Sequence, residues 1–120
     1  MTRFVECNPI VTVSDVSAAK RFYLDALGFS VDFDAGEVLG LVKDEVLILL
    51  ISQDSENVRQ LPGSSIISFL TDEVDLLYDQ CVAASADILV EPEDRPYGQR
   101  DFSVRDPDGS VLVFGCAIPE

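Results

Sequence analysis

The sequence predicts an α+β fold of two tandem β-α-β-β-β modules, with curved sheets around a cleft and the helices on the outer face. Three observations lead there. Two stretches carry helical apolar spacing, each stands between one strand-like run and three more, and a hairpin motif recurs in both halves. The chain's 120 residues suffice for a single domain with a substantial core.

In the first half, residues 9–13 read as a strand. Val16, Ala19, Phe22, Tyr23, Ala26 and Leu27 then fall at i, i+3, i+4 spacing, with Ser14 or Asp15 as N-cap and Gly28 as the stop. Strands follow over residues 29–33, 38–42 and 46–51. The second half repeats this order, with a strand over 65–70 and Val74, Leu77, Tyr78, Cys81 and Val82 on one helix face. Asp72 is the expected cap, and the helix runs out near Ala84-Ser85-Ala86. Strands are then expected over 88–90, 102–104 and 111–114.

The duplication is visible in residues. Val42-Lys43-Asp44 precedes Val46-Leu47-Ile48-Leu49, and Val104-Arg105-Asp106 precedes Val111-Leu112-Val113-Phe114. In the second hairpin, Asp106-Pro107-Asp108-Gly109 is strong turn chemistry, because Pro fixes φ and Gly permits positive φ. Asp106 and Asp108 therefore read as turn formers and not as catalysts. The polar segment 53–63, ending in Pro62-Gly63, reads as the linker between a module at about 4–52 and another at about 64–117. One module alone, with one helix over one sheet face, buries too little to stand by itself. Two such sheets set edge to edge make a half-barrel whose concave face is the place to look for function.

Composition excludes several classes. Hydrophobic residues make up 48% of the chain, too many for a disordered acidic tail. No apolar run reaches the roughly 20 residues that span a bilayer, and Met-Thr-Arg-Phe-Val-Glu opens no signal peptide, so a cytoplasmic protein is expected. The net charge of −14, from 22 acidic against 8 basic residues, repels nucleic acid and anionic lipid and attracts cations. Cys7, Cys81 and Cys116 are widely spaced and form no C-x-x-C pair, so they read as small buried hydrophobes. No P-loop and no Ser-His or Cys-His pairing is present, since the chain has no histidine.

Two groups of residues resemble a known family. Asn8-Pro9-Ile10-Val11-Thr12-Val13-Ser14-Asp15-Val16, Phe22-Tyr23 and Leu27-Gly28-Phe29 resemble the opening module of vicinal-oxygen-chelate proteins, the glyoxalase/bleomycin resistance/dioxygenase superfamily. Pro96-Tyr97-Gly98-Gln99-Arg100-Asp101-Phe102 and Arg105-Asp106-Pro107-Asp108-Gly109 resemble the closing module. Within it the chain looks most like the bleomycin-resistance proteins, small acidic cytoplasmic homodimers that sequester a cationic glycopeptide. The resemblance also places Pro9 where the first strand of those proteins crosses to the partner.

Enzymes of this superfamily hold a divalent metal with His and Glu, the usual ligands for such ions. By the resemblance those positions fall at Asn8 and near Ile48, Ile66 and Val113, an amide and three aliphatics, so no metal, cofactor or catalytic residue is expected. The dense acids Asp32, Asp34, Glu37, Asp44 and Glu45 read as solvated edges. The resemblance turns Asn8 toward the cleft, and strand alternation from there implies that Ile10, Thr12, Ile66, Ser68, Leu70, Val111 and Val113 face it too, with Val11, Val13, Ile67, Phe69, Leu112 and Phe114 beneath the helices. The resemblance sets Phe33 beside Asp32 in the drug groove and Tyr97 over its mouth. Expected ligand-binding residues are Asp32, Phe33, Tyr97, Asn8, Thr12, Ser68 and Asp101, with Glu91, Glu93 and Asp94 adding acid at the rim. The expectation is a metal-free homodimer that binds a small cationic or aromatic antibiotic, with no nucleic-acid or membrane partner. Alternatives are a lyase or isomerase of the glyoxalase kind with a non-standard metal centre, and a non-catalytic protein-interaction domain.

Overall fold

The computed structural model describes residues 2–56, 58 and 60–118. Two positions of the expected linker, Asn57 and Arg59, lie outside the described residues. Two four-stranded mixed sheets and two helices alternate along the chain, in the order β1 (Ile10–Val13), α1 (Val16–Asp25), β2 (Ser30–Asp34), β3 (Val38–Lys43), β4 (Val46–Ser52), β5 (Ile66–Leu70), α2 (Val74–Ala83), β6 (Asp87–Asp94), β7 (Gln99–Arg105) and β8 (Val111–Ala117). The first sheet has the order β1-β4-β3-β2 and the second β5-β8-β7-β6. In each, the strand before the helix runs parallel to the last strand, and the other pairs are antiparallel. Among the described residues no helix is long and apolar enough to cross a membrane.

The helices begin differently. Asp15 caps α1, its carboxylate accepting from the Ala18 amide at 3.1 Å, and Gly28 takes φ +80° after the last turn. Asp72, the expected cap of α2, does not serve. The N-cap is Glu73, which makes no side-chain cap bond. Its extra methylene carries the carboxylate past the amides that Asp or Ser reaches. Strands β6, β7 and β8 outrun the expected 88–90, 102–104 and 111–114: the outer residues of β6 and β7 are mostly charged or polar, and β8 runs on through the small residues Gly115, Cys116 and Ala117, so none carries the bulky apolar signature. Pro92 is tolerated since β6 is an outer strand, where a missing amide donor breaks no ladder.

Register sorts the two faces of each sheet. Val11, Val13, Leu39, Leu41, Ile48 and Leu50 turn toward the helix layer, as do Ile67, Phe69, Phe102, Val104, Leu112 and Phe114. They belong to one core that runs through both modules and includes Ala19, Tyr23, Leu27, Val74 and Cys81. Phe69 and Phe102 both stack on Phe114, with ring centroids 5.0 and 5.4 Å away. Each fully buried side chain of this kind contributes about 1.5–3 kcal/mol.

The β7–β8 turn clasps the two modules. Asp106, 4% exposed, accepts from the Tyr23 hydroxyl of α1 at 3.1 Å and from the amides of Asp108 and Ser110. Asp108 accepts from both the amide and the hydroxyl of Ser14. The Asp108 carbonyl packs against Gly63, which sits at φ +81° and has no room there for a Cβ. Both acids form the turn, and both also hold the first helix to the second module.

Candidate ligand-binding site

The face of each sheet turned away from the helices carries the candidate site. On the first sheet Ile10, Leu49 and Gly40 are in register, with Thr12, Ile51 and Val38 beside them. A shift in register between Val31 and Phe33 pairs Val31 with Leu41 but Phe33 with Gly40, so the irregularity aims Phe33 at the open face. Its ring lies over Gly40, where a Cβ would collide with it. The result is an aromatic shelf, 41% exposed, flanked in sequence by Asp32 and Asp34, both exposed. Gly40 was not singled out in the sequence. A glycine inside a strand between bulky neighbours is the signal that something lies close above it.

On the second sheet the open face carries Ile66, Ser68 and Leu70, which pair with Val111, Val113 and Gly115. Ser103 and Asp101 continue those rows on β7. Asp101 is 7% exposed and is held by three donors: Arg95 Nε at 2.7 Å, Tyr97 Oη at 3.1 Å and Gln99 Nε2 at 3.1 Å. Burial alone would raise its pKa, but these three hydrogen bonds outweigh burial and hold it below the ordinary carboxylate value. Withdrawal from solvent, and then the bond to Asp101, hold the Tyr97 phenol above its usual value. Arg95 also pairs with Glu93 at 3.0 Å, and Arg100 bridges Asp75 and Asp94. Part of the rim acid is thus neutralised internally. The Gln99 amide lies over Gly115 much as Phe33 lies over Gly40.

The seven expected site residues fall into two groups. Tyr97 and Asp101 are bonded to each other and share the second open face with Ser68. Asp32 and Phe33 stand on β2 of the first sheet, with Thr12 on its open face and half-buried Asn8 just ahead of β1. Thr12 is only 4% exposed, whereas Ile10 at 57%, Ile66 at 77% and Leu70 at 79% stand in solvent. The sequence did not single out Arg95 or Gln99 for the Asp101 cluster. A groove lies elsewhere, at the seam of the modules, and none of the seven lines it.

The positions that hold metal in the superfamily's enzymes do not fit a metal here. Ile66 and Val113 do face the open side of the second sheet. Ile48 does not: it is fully buried on the helix side, and the open-face residues next to it are Leu47 and Leu49, a one-residue correction to the sequence reading. Hydrocarbon side chains and one amide offer no anionic or imidazole donor. Among the described residues no three His, Cys, Asp or Glu side chains are grouped to hold a metal ion. The arrangement can stack a planar group on Phe33, hydrogen-bond through Tyr97 and Ser68, and attract positive charge at its edges.

Comparison with known proteins agrees with this architecture. The virulence protein STM3117 of Salmonella typhimurium is 29% identical over 111 residues, covering 86% of this chain and 77% of that protein. Its crystal structure superposes with a TM-score of 0.81 at 26% identity, covering 98% of this chain and all of that one. The bleomycin-binding protein of bleomycin-producing Streptomyces verticillus, solved with copper(II)-bleomycin, has a TM-score of 0.76 at 23% identity over the full length of both chains. A lactoylglutathione lyase of Agrobacterium tumefaciens has a TM-score of 0.76 at 20% identity, over 97% of this chain and 96% of that one. Residues 3–114 match a single family description, and by that match the chain belongs to the Glyoxalase/Bleomycin resistance protein/Dioxygenase superfamily.

Proposed function

We propose that this protein is a metal-free small-molecule-binding protein that sequesters a cationic or aromatic compound of the bleomycin type, acting as a cytoplasmic homodimer. The observation that carries the reading is Phe33, laid across Gly40 on an open sheet face between two exposed carboxylates. A flat cation gains there from stacking and from charge together, about 0.5–2 kcal/mol for each ring contact. The likeness in fold to a protein solved with copper(II)-bleomycin supports the ligand class. Exposed Ile10 on the first sheet and Ile66 and Leu70 on the second support a second copy covering the open faces, because exposed large apolar side chains mark contact surfaces. The free thiols of Cys7, Cys81 and Cys116 suit a reducing compartment.

Calorimetric titration tests the reading, with copper(II)-bleomycin, metal-free bleomycin and ethidium added to the wild type and to Phe33→Ala. At least one of the three is expected to bind the wild type, and roughly tenfold more weakly after loss of the ring. Absence of binding by all three, or equal binding by the variant, would overturn it.

A further inference from the structure

The two modules differ at one place on the helix side. In the second, the turn Asp106-Pro107-Asp108-Gly109 reaches the start of α1 and Tyr23. In the first, β3 and β4 are joined by Asp44-Glu45 alone. The residue matching Tyr23 is Cys81, each lying seven positions after the first helical valine, Val16 or Val74. The shorter turn leaves open, before α2, space that the longer turn of the second module fills before α1. A groove of about 610 Å³ occupies it, within the range of small-molecule sites.

Leu27, Phe29, Leu77 and Phe114 line the groove with core hydrocarbon, and exposed Leu76 forms one wall. Asp44, Glu45, Asp72 and Glu73 stand around it. The only cation among the lining residues is Lys43, whose Nζ is 3.8 Å from Asp44. Thr71 lines it too, and its Oγ1 is buried with no hydrogen-bond partner, an arrangement that folded proteins seldom leave unanswered. Four carboxylates against one paired ammonium outweigh the partial positive charge of the uncapped α2 terminus, so an anion is disfavoured.

We propose that this groove is a second ligand site, meeting the open face of the second sheet only at Leu70, for a compound with an aromatic or branched apolar body and a protonated amine. The body covers the hydrocarbon floor and the ammonium meets the carboxylates. The site does not depend on the sequestration reading, since it shares none of the seven residues named for that role.

Tryptamine is a suitable probe, with indole-3-acetate and tryptophol as anionic and neutral counterparts of similar shape. In amide-resolved NMR titrations of the full chain, tryptamine is expected to shift Glu45, Thr71 and Leu76 along a saturating curve. Indole-3-acetate should act at least about tenfold more weakly. Leu76→Arg, a change at an exposed position, should abolish those shifts, and the double variant E45Q/E73Q should weaken them. Phe33→Ala should leave them unchanged, which separates this site from the sheet-face site. No groove shift up to about 5 mM, an equal response to the acetate, or shifts confined to Phe33 and Asp101 would overturn the proposal.

Discussion

Replacing Tyr23 by Phe removes one hydroxyl and nothing else, at the joint between the modules. Asp106 keeps the Asp108 and Ser110 amides on Oδ1 but loses the donor on Oδ2 in a site 4% exposed. A hydrogen bond to a buried charged acceptor is worth about 1.5–3 kcal/mol. For a chain of this size that lowers the unfolding midpoint by roughly 5–15 °C. The pH dependence sharpens the test. Burial raises the Asp106 pKa against the opposing bonds from Ser110, Tyr23 and Asp108. The native state therefore binds this proton more readily than the unfolded chain does. Ionised Asp106 costs stability above its folded pKa, and the cost is relieved as pH falls through that value. Burial likewise raises the Tyr23 phenol, which stays a donor throughout. Once Asp106 is protonated the lost bond is an ordinary one, worth about 0.5–1.5 kcal/mol. Urea unfolding of wild type, Tyr23→Phe, Asp106→Asn and the double variant should show coupling that is largest at pH 7.5 and declines as pH falls through the folded value of Asp106. A Tyr23→Phe loss under about 0.5 kcal/mol at pH 7.5, or one independent of pH, would show that this bond does not hold the modules together.

Three further outcomes are expected. Gly63→Ala should cost more than about 2 kcal/mol in chemical denaturation, because positive φ and collision with the Asp108 carbonyl combine; Gly36→Ala, at φ +84° with open space around it, should cost only about 1 kcal/mol. Asp101→Asn should lower the Tyr97 phenol toward its ordinary value, read by ultraviolet titration against Tyr97→Phe. Because the Asp101 pKa is lowered by folding, its stabilising contribution is present above the unfolded carboxylate value near roughly 3.9 and lost as pH falls through the lower folded value. Gly40→Ala should displace the Phe33 ring, weakening drug binding in calorimetry about as much as Phe33→Ala does, while far-ultraviolet circular dichroism is preserved.

Much of the fold was legible because burial imposes periodicity. Alternation sorted Val11, Val13, Phe69 and Leu112 from Ile10, Ile66 and Leu70, and register places them on the opposite faces so expected. The bulge in β2 was not legible, since alternation carries no mark of an extra residue, and it is this bulge that aims Phe33. The clasp at Asp106 was half legible. Its turn was plain from Asp-Pro-Asp-Gly, but its bond to Tyr23 joins residues 83 apart. A buried tyrosine hydroxyl requires an acceptor, and that requirement was the available signal. The Asp101 cluster depends on how β6 and β7 extend beyond their apolar centres, through charged residues that read as loop.

We propose a drug-like cation, and no metal, as this protein's ligand. Thermal unfolding against EDTA, divalent metals, bleomycin and planar cationic antibiotics tests it most directly, because a ligand that binds only the native state raises the midpoint by mass action. A rise is expected with at least one drug, and no change with metals or EDTA. A rise with a single transition metal, reversed by EDTA and unmatched by any drug, would contradict it.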